Sequence, residues 1–351
     1  MRGAIPTPGV LFASLDAGFQ RPMMKLAPAR FALLTGVLVS ACVIQRPIAL
    51  HAQESRPTFS AGIALVPITA VVRDSRNRIV RDLRREDFQV LEHGLPRPIV
   101  EFMARDDGPI SVAFLFDTSG SMPVASNLEK GKGLVAHFLT QMKPSSDEAA
   151  LFTFDKDLRQ EVPFTKDVND VRGALGRVTA WGLTSLYDAI AETAKRVADR
   201  GPSGRRAVVV ITDGDDTSSV LTPAEVSGLA SAIDVPVYVV AVVSPLDHPG
   251  NAGAVVAAET NGNLSNLAYW TGGDLLYVSA PEQTSLVTKE LLAVMRQQYF
   301  LAIESSTAPG WYRLEVRTKR RDLTVRTRGG YFAAQSPRIG EAALAGRKGQ
   351  S

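Results

Sequence analysis

Three stretches of this chain are apolar without interruption: VAFLF from Val112 to Phe116, AVVVI from Ala207 to Ile211, and VYVVAVV from Val237 to Val243. A strand with one face in water alternates apolar and polar side chains. An unbroken run therefore describes a strand covered on both faces, the condition of a parallel sheet packed between helices. The segments between the runs carry helical stripes. Leu134, Val135, Phe138, Leu139 and Met142 recur at the spacing of one helix face, and Leu186, Ile190, Ala194 and Val197 trace a second. Thr222-Pro223-Ala224-Glu225 reads as a helix start, with Thr222 as cap and Pro223 at the first helical position. The alternation predicts a doubly wound α/β domain with a mostly parallel sheet over residues 108–298. Ser244 to Asn263 is longer than the usual connection in such a fold and is expected to be a loop or a partly ordered insert.

The flanks have another texture. From Gly62 to Met103 come IALVPITAVV, rich in branched residues, then the polar turn RDSRNR, then FQVLEHG and RPIVEFM, a predicted hairpin around Gly94 and Pro96. The far end returns to short strands. YFLAIES is one. In YRLEVRTK, Leu314, Val316 and Thr318 alternate with Arg313, Glu315, Arg317 and Lys319, and LTVRTRGGYF repeats the alternation after a turn at Arg321-Asp322. Six or seven such strands, divided between 58–105 and 299–334, suit one β-sandwich with the α/β domain inserted between its halves. The basic residues between 313 and 328 read as a solvated strand face whose charges discourage edge pairing. Residues 335–351 are expected to form a disordered tail.

Residues 1–52 form an upstream segment and a secretory signal in this reading. Lys25 and Arg30 precede the apolar run FALLTGVLVSACVI, and Ala52 offers a small-residue exit. The run falls short of the ~20 residues that span a bilayer; a buried helix or a short anchor is the alternative. Translation is expected to begin at Met24, directly before Lys25, rather than at Met1. Cys42 is the only cysteine, and with Val39, Ser40 and Ala41 before it resembles a bacterial lipobox, which would attach the protein to a membrane through a lipidated Cys42. The continuation of the apolar run through Val43 and Ile44, and a cleavage point at His51-Ala52, support a cleaved secreted form instead. Either way a single thiol excludes an internal disulfide and thiolate metal sites. The expected location is periplasmic, extracellular or envelope-associated. Lys and Arg (39) barely outnumber Asp and Glu (36) and are spread along the chain, so no nucleic-acid partner is expected.

The first apolar run ends in DTSGSM, which sets Asp117, Ser119 and Ser121 at alternate positions. Loops leaving the carboxyl ends of strands in a doubly wound sheet share one edge, where ligands bind. Asp213, in ITDGDD, leaves the second strand there, and Thr184, in WGLTSLYDAI, opens a helix there. Five oxygen side chains suit a hard cation, Mg²⁺ or Ca²⁺, and disfavour zinc and copper. The two carboxylates balance one divalent ion and the hydroxyls add no charge. The ion keeps Lewis acidity for one more anionic oxygen, which a partner's Asp or Glu can supply. Taken singly, Asp213-Gly214-Asp215-Asp216 is a polar turn with a helix cap, Thr184 an N-cap, and DTSGSM a phosphate-binding or capping loop. Asp215 and Asp216 are expected outside the ligand set, Asp188 is expected to order the loop, and Asp247 and His248 are expected to be merely exposed.

DTSGSM, GLTSLYD and ITDGDD, in that order, resemble the von Willebrand factor A domain and its metal-ion-dependent adhesion site, built from DxSxS, a Thr and an Asp. The resemblance covers the chain from about Ser111 to Gln298. It implies that Asp117, Ser119 and Ser121 form a first ligand group, with Thr184 and Asp213 completing the shell directly or through water. The flanks are similar to bacterial secreted von Willebrand A-related proteins of the type common in acidobacteria, in VVRDSRNRIVRDLRREDFQVLEHG before the domain and the GGYF-like strand closing the chain. The expected function is an exported protein-binding module of adhesion type that depends on Mg²⁺ (or Ca²⁺ or Mn²⁺). A structural envelope scaffold with a purely structural cation is an alternative, and a metal-assisted hydrolase a further one. The chain has no G-x-S-x-G elbow, no H-E-x-x-H and no histidine near the ligands to act as a base, so no enzymatic activity is expected.

Overall fold

A computed structural model describes residues 64–105, 107–200, 205–214, 216–244 and 258–333. All belong to the unit that begins at Ser60. The predicted signal with Met24 and Cys42, the tail from residue 335, Asp215, and the pair Asp247 and His248 lie outside the described residues.

Four short strands come first in the chain: β1 (Leu65–Arg73), β2 (Phe88–Glu92), β3 (Leu95–Arg97) and β4 (Glu101–Arg105). The α/β layer follows as β5 (Ile110–Asp117), α1 (Asn127–Thr140), β6 (Glu148–Phe154), β7 (Leu158–Thr165), α2 (Val168–Arg177), α3 (Leu186–Ala198) and β8 (Arg205–Thr212). It continues through α4 (Pro223–Ala232), β9 (Val237–Val242), α5 (Ala258–Thr271), β10 (Leu275–Val278) and α6 (Thr284–Arg296). Strands β11 (Gln298–Glu304), β12 (Gly310–Thr318), β13 (Thr324–Thr327) and β14 (Gly330–Ala333) close it.

The central sheet has the order β10-β9-β8-β5-β6-β7, parallel except for the antiparallel edge strand β7. Its two faces explain the unbroken apolar runs. Val112, Phe114 and Phe116 of β5 face α1 and α6, where Phe114 meets Phe138 edge to face at 5.2 Å. Ala113 and Leu115 point the other way, into a cluster with Ile190 of α3, Val226 of α4 and Leu267 of α5. Gly131 lets α1 come close: a Cβ there would lie 2.8 Å from Ile211 and 3.1 Å from Phe116. The chain enters this sheet at β5, goes to β6 on one side and later returns to β8 on the other. The carboxyl ends of β5 and β8 therefore flank a topological switch point, the usual place for a ligand in such sheets.

The flanks form two four-stranded antiparallel sheets, β13-β1-β11-β4 and β14-β12-β2-β3. They share a core in which Ile68, Val72 and Leu301 meet Val90, Val316 and Tyr331. Pairing of β1 with β11 and of β2 with β12 joins the beginning of the described chain to its end. Neither half can complete a sheet alone.

Four local expectations need correction. The predicted hairpin turns at His93-Gly94, both at positive φ (48° and 81°), and Pro96 lies inside the edge strand β3, where its missing N–H costs no ladder bond. The chain then crosses to the other sheet, where β4 pairs with β11. LTVRTRGGYF is two strands, because β13 pairs with β1 and β14 with β12. The predicted insert is helical from Ala258 onward, within α5.

The fourth correction concerns Arg328, read above as part of a solvated face. It is buried at the seam between the sandwich and the α/β layer. Its guanidinium donates to the carbonyls of Ser231 (2.8 Å) and Ala232 (3.3 Å) at the end of α4, and to the carbonyl of Pro67 in β1. It also pairs with Asp234 at 3.3 Å. A cation is favoured at a helix C-terminus, where the last carbonyls lack intrahelical partners. Within the α/β layer, Arg296 pairs with the buried Asp147 at 2.6 Å, tying the end of α6 to the loop before β6.

Candidate metal centre

The register between β5 and β8 sets Phe116 opposite Ile211, which brings Asp117 beside Thr212 at the carboxyl edge. The Thr212 hydroxyl donates to Asp117 Oδ2 at 2.6 Å, and the Ser119 N–H donates to Oδ1 at 2.8 Å. Both carboxylate oxygens are thus oriented by the chain itself, and Asp117 is fully buried. Thr212 in turn accepts from the Gly214 N–H at 3.0 Å, shaping the turn that follows Asp213; Gly214 has φ +104°, which glycine adopts at little cost. Ser119 and Ser121 stand with their hydroxyl oxygens 3.0 Å apart.

Backbone bonds lay the second loop against the first. The Gly120 N–H donates to the Gly182 carbonyl at 3.0 Å, and the Trp181 N–H to the Thr118 carbonyl at 2.8 Å. Thr184 follows two residues later, buried, and its backbone joins the third loop. Its N–H donates to the Thr217 hydroxyl at 3.0 Å, and its carbonyl accepts from the N–H groups of Thr217 (2.9 Å) and Ser218 (3.0 Å). Asp213 is half-buried, and its charge is felt at Asp117. The three segments named from sequence are therefore adjoining loops at the switch point.

The other acids of these loops do different work. Asp216 accepts from the Leu186 N–H (2.8 Å) and the Ser219 hydroxyl (2.6 Å), capping the first turn of α3. Asp188 accepts from the N–H groups of Val220 (2.9 Å) and Leu221 (2.8 Å), which orders the loop leading to α4. The N-cap position of α3 belongs to Ser185 rather than Thr184, so the side chain of Thr184 is not spent on a cap.

Electrostatics favour a cation here. Burial pushes the Asp117 carboxyl up to about 7; the hydrogen bonds from Thr212 and Ser119 oppose the rise, and the charge of Asp213 adds to it. Buried charges in proteins are paired or coordinate metals. Among the described residues no three His, Cys, Asp or Glu side chains come together. The candidate residues carried by these adjoining loops are two carboxylates and three hydroxyls, all oxygen donors of the kind a hard divalent cation takes.

Sequence reasoning missed the rim. Val124, Trp181, Leu183 and Val220, one or two from each loop, are exposed, Trp181 by 74% and Val220 by 88%. The available signal was apolar residues in loops that turn chemistry alone would fill with polar ones. A polar hollow of about 160 Å³ opens beside Trp181, lined by Asp155, Arg159, Glu161 and Arg177 among others.

The fold and this edge define a class: a doubly wound α/β domain carrying an oxygen-only cluster at the switch point of its sheet. Residues 112–215 match the family model of the von Willebrand factor type A domain, a span that contains all five candidate ligands. Several solved structures are similar. One is the conserved hypothetical protein BatB from Bacteroides thetaiotaomicron, with 19% identity over 53% of this chain and 98% of that one, at a TM-score of 0.42. Another is a von Willebrand factor type A protein from Catenulispora acidiphila, with 13% identity over 79% of this chain and 76% of that one, at a TM-score of 0.45. A third is proximal thread matrix protein 1 from the mussel byssus, with a zinc-occupied MIDAS motif, 19% identity over 58% of this chain and 49% of that one, and a TM-score of 0.43. No curated protein matches this chain.

Proposed function

We propose that this protein is an exported protein-binding module of adhesion type that depends on a divalent cation, Mg²⁺ or else Ca²⁺ or Mn²⁺. Asp117, Ser119, Ser121, Thr184 and Asp213 hold the ion, and an Asp or Glu of a protein partner completes its shell. The supporting observation is Asp117: a buried carboxylate, oriented through both oxygens, with a second carboxylate beside it and only uncharged donors bonded to it. When bound, the cation supplies positive charge and one acceptor position for an outside anionic oxygen. The chain's own groups keep the donors in place. The exposed rim adds apolar area, with Trp181 the residue type that most often anchors an interface.

Binding is favoured over hydrolysis because acids of the adjoining loops are occupied: Asp188 and Asp216 hold backbone amides and a hydroxyl, and Asp155 pairs with Arg159. It is favoured over a purely structural cation because protein–protein hydrogen bonds already tie the three loops together. Export, to the periplasm, the exterior or the envelope, rests on the signal and on a lipidated Cys42 or cleavage near Ala52; nucleic acid is not an expected partner. Among the described residues no helix is long and apolar enough to cross a membrane.

The test immobilises the full chain and the Asp117→Ala variant and measures capture of envelope proteins in Mg²⁺ and in chelator. Capture confined to the unaltered chain in Mg²⁺ supports the reading. Equal capture in chelator, or by the variant, sinks it.

A further inference from the structure

Where the α/β layer meets the sandwich, α4 and α5 leave a hollow of about 530 Å³ walled by Trp270 of α5 and Trp311 of β12. Sites for small organic ligands run from about 300 to 1,000 Å³. Asn263, Asn266 and Trp270 are spaced to share one face of α5, and all three line the hollow. The facing side of α4 contributes small residues, among them Ser227 and Ser231, whose hydroxyls donate to the carbonyls of Pro223 (2.7 Å) and Trp270 (2.5 Å).

The two tryptophans are held open by the backbone. A Cβ on Gly329 would lie 1.8 Å from the Trp270 ring, and one on Gly330 2.4 Å from the Trp311 ring. The Gly329 N–H also donates to the Trp270 carbonyl at 2.8 Å. The paired glycines of GGYF thus leave room for two indoles that remain 37% and 38% exposed. Among the described residues neither indole N–H nor either asparagine amide has a hydrogen-bond partner. No ionisable side chain lines the hollow.

We propose that this hollow binds a neutral saccharide. A pyranose presents an apolar C–H face to an indole and hydroxyls that each donate and accept. That matches two indole faces with their N–H donors, and two amides that donate and accept. No lining residue offers an ionic ligand a counter-charge, and the Arg313 guanidinium beside the hollow is already placed over the Trp270 ring, 6.0 Å from its centre. A proline-rich peptide also suits aromatic grooves, but its carbonyls only accept, leaving both asparagine oxygens without a donor. None of the lining residues belongs to the candidate metal centre, so the two proposals fail separately.

The experiment titrates the full chain with cellohexaose, chitohexaose and maltohexaose, following tryptophan emission and heat, in Mg²⁺ and in chelator. At least one hexasaccharide binds saturably, with the same affinity in both conditions. Trp311→Ala weakens that binding about tenfold and Asn266→Ala by about threefold. Asn266 is an exposed helix position, so its variant keeps the melting temperature and guards against a folding artefact. The proposal is overturned if none of the three binds, if both variants bind as the unaltered chain does, or if a decaproline peptide binds there in their place.

Discussion

The seam and the carboxyl edge of the central sheet both bury carboxylates, and they treat them differently. At the seam Asp234 faces Arg328, and within the α/β layer the buried Asp147 faces Arg296, so each acid meets a guanidinium from a distant part of the chain. Burial raises the Asp234 carboxyl, and Arg328 and Arg206 pull it back. At the edge Asp117 is offered hydroxyls, an amide and another acid. Arg328 joins the two layers, and Arg296 ties two parts of the α/β layer together. No guanidinium bonds Asp117 among the described residues, and departures of this kind are expected at functional or strained sites.

The largest effect expected from breaking this contrast is at the seam. Arg328→Met strands three backbone carbonyls and leaves Asp234 with the charge of Arg206 alone, and should destabilise the protein by about 3 kcal/mol in urea unfolding, as loss of one partner of a buried pair does. A cost below about 1 kcal/mol would mean that the seam charges are solvated and the contrast is false.

Next comes pH. Asp117 rises in the folded state from 3.8 to about 7, so the folded chain holds that proton more tightly than the unfolded one. This stabilisation is complete below about pH 4 and disappears as pH climbs through about 7, an effect of at most about 4 kcal/mol at 1.36 kcal/mol per unit. Compared with Asp117→Asn, the metal-free protein should lose stability over that window. Parallel pH profiles for the two would remove the electrostatic case for a cation.

Metal addition should reverse the loss. Mg²⁺ at about a hundred times its dissociation constant stabilises a folded protein by about 2.7 kcal/mol. Thermal melts should show an increase of that order for the unaltered chain and none for Asp117→Asn. The smallest effect belongs to the rim. Trp181→Ser should change stability by no more than about 0.5 kcal/mol while weakening partner capture. A large stability loss there would assign Trp181 to the core instead.

Legibility in the sequence followed the same division. Strands β5, β8 and β9 were plain because their neighbours cover both faces, which leaves an unbroken apolar run. Strand β7 was not plain: it is a polar edge strand carrying Pro163, and nothing local distinguishes it from a loop. The division of LTVRTRGGYF was hidden because period-2 alternation says which faces a strand has, and nothing about which sheet receives it. Arg328 was misread for the same reason, since its carbonyl partners sit 96 to 261 residues away, in α4 and β1. The five candidate ligand residues could be named from type and order, but Thr212 and Thr217, which orient them, could not.

Residue types alone determined that the chain builds a sheet covered on both faces, with oxygen-bearing loops at its carboxyl edge. Apolar content and donor chemistry are carried by each side chain wherever it goes. Which buried acid meets an arginine, and which two indoles border a hollow, was decided only by the tertiary structure. Those outcomes depend on segments far apart in the chain arriving within a few ångströms of one another, and no local pattern encodes that distance.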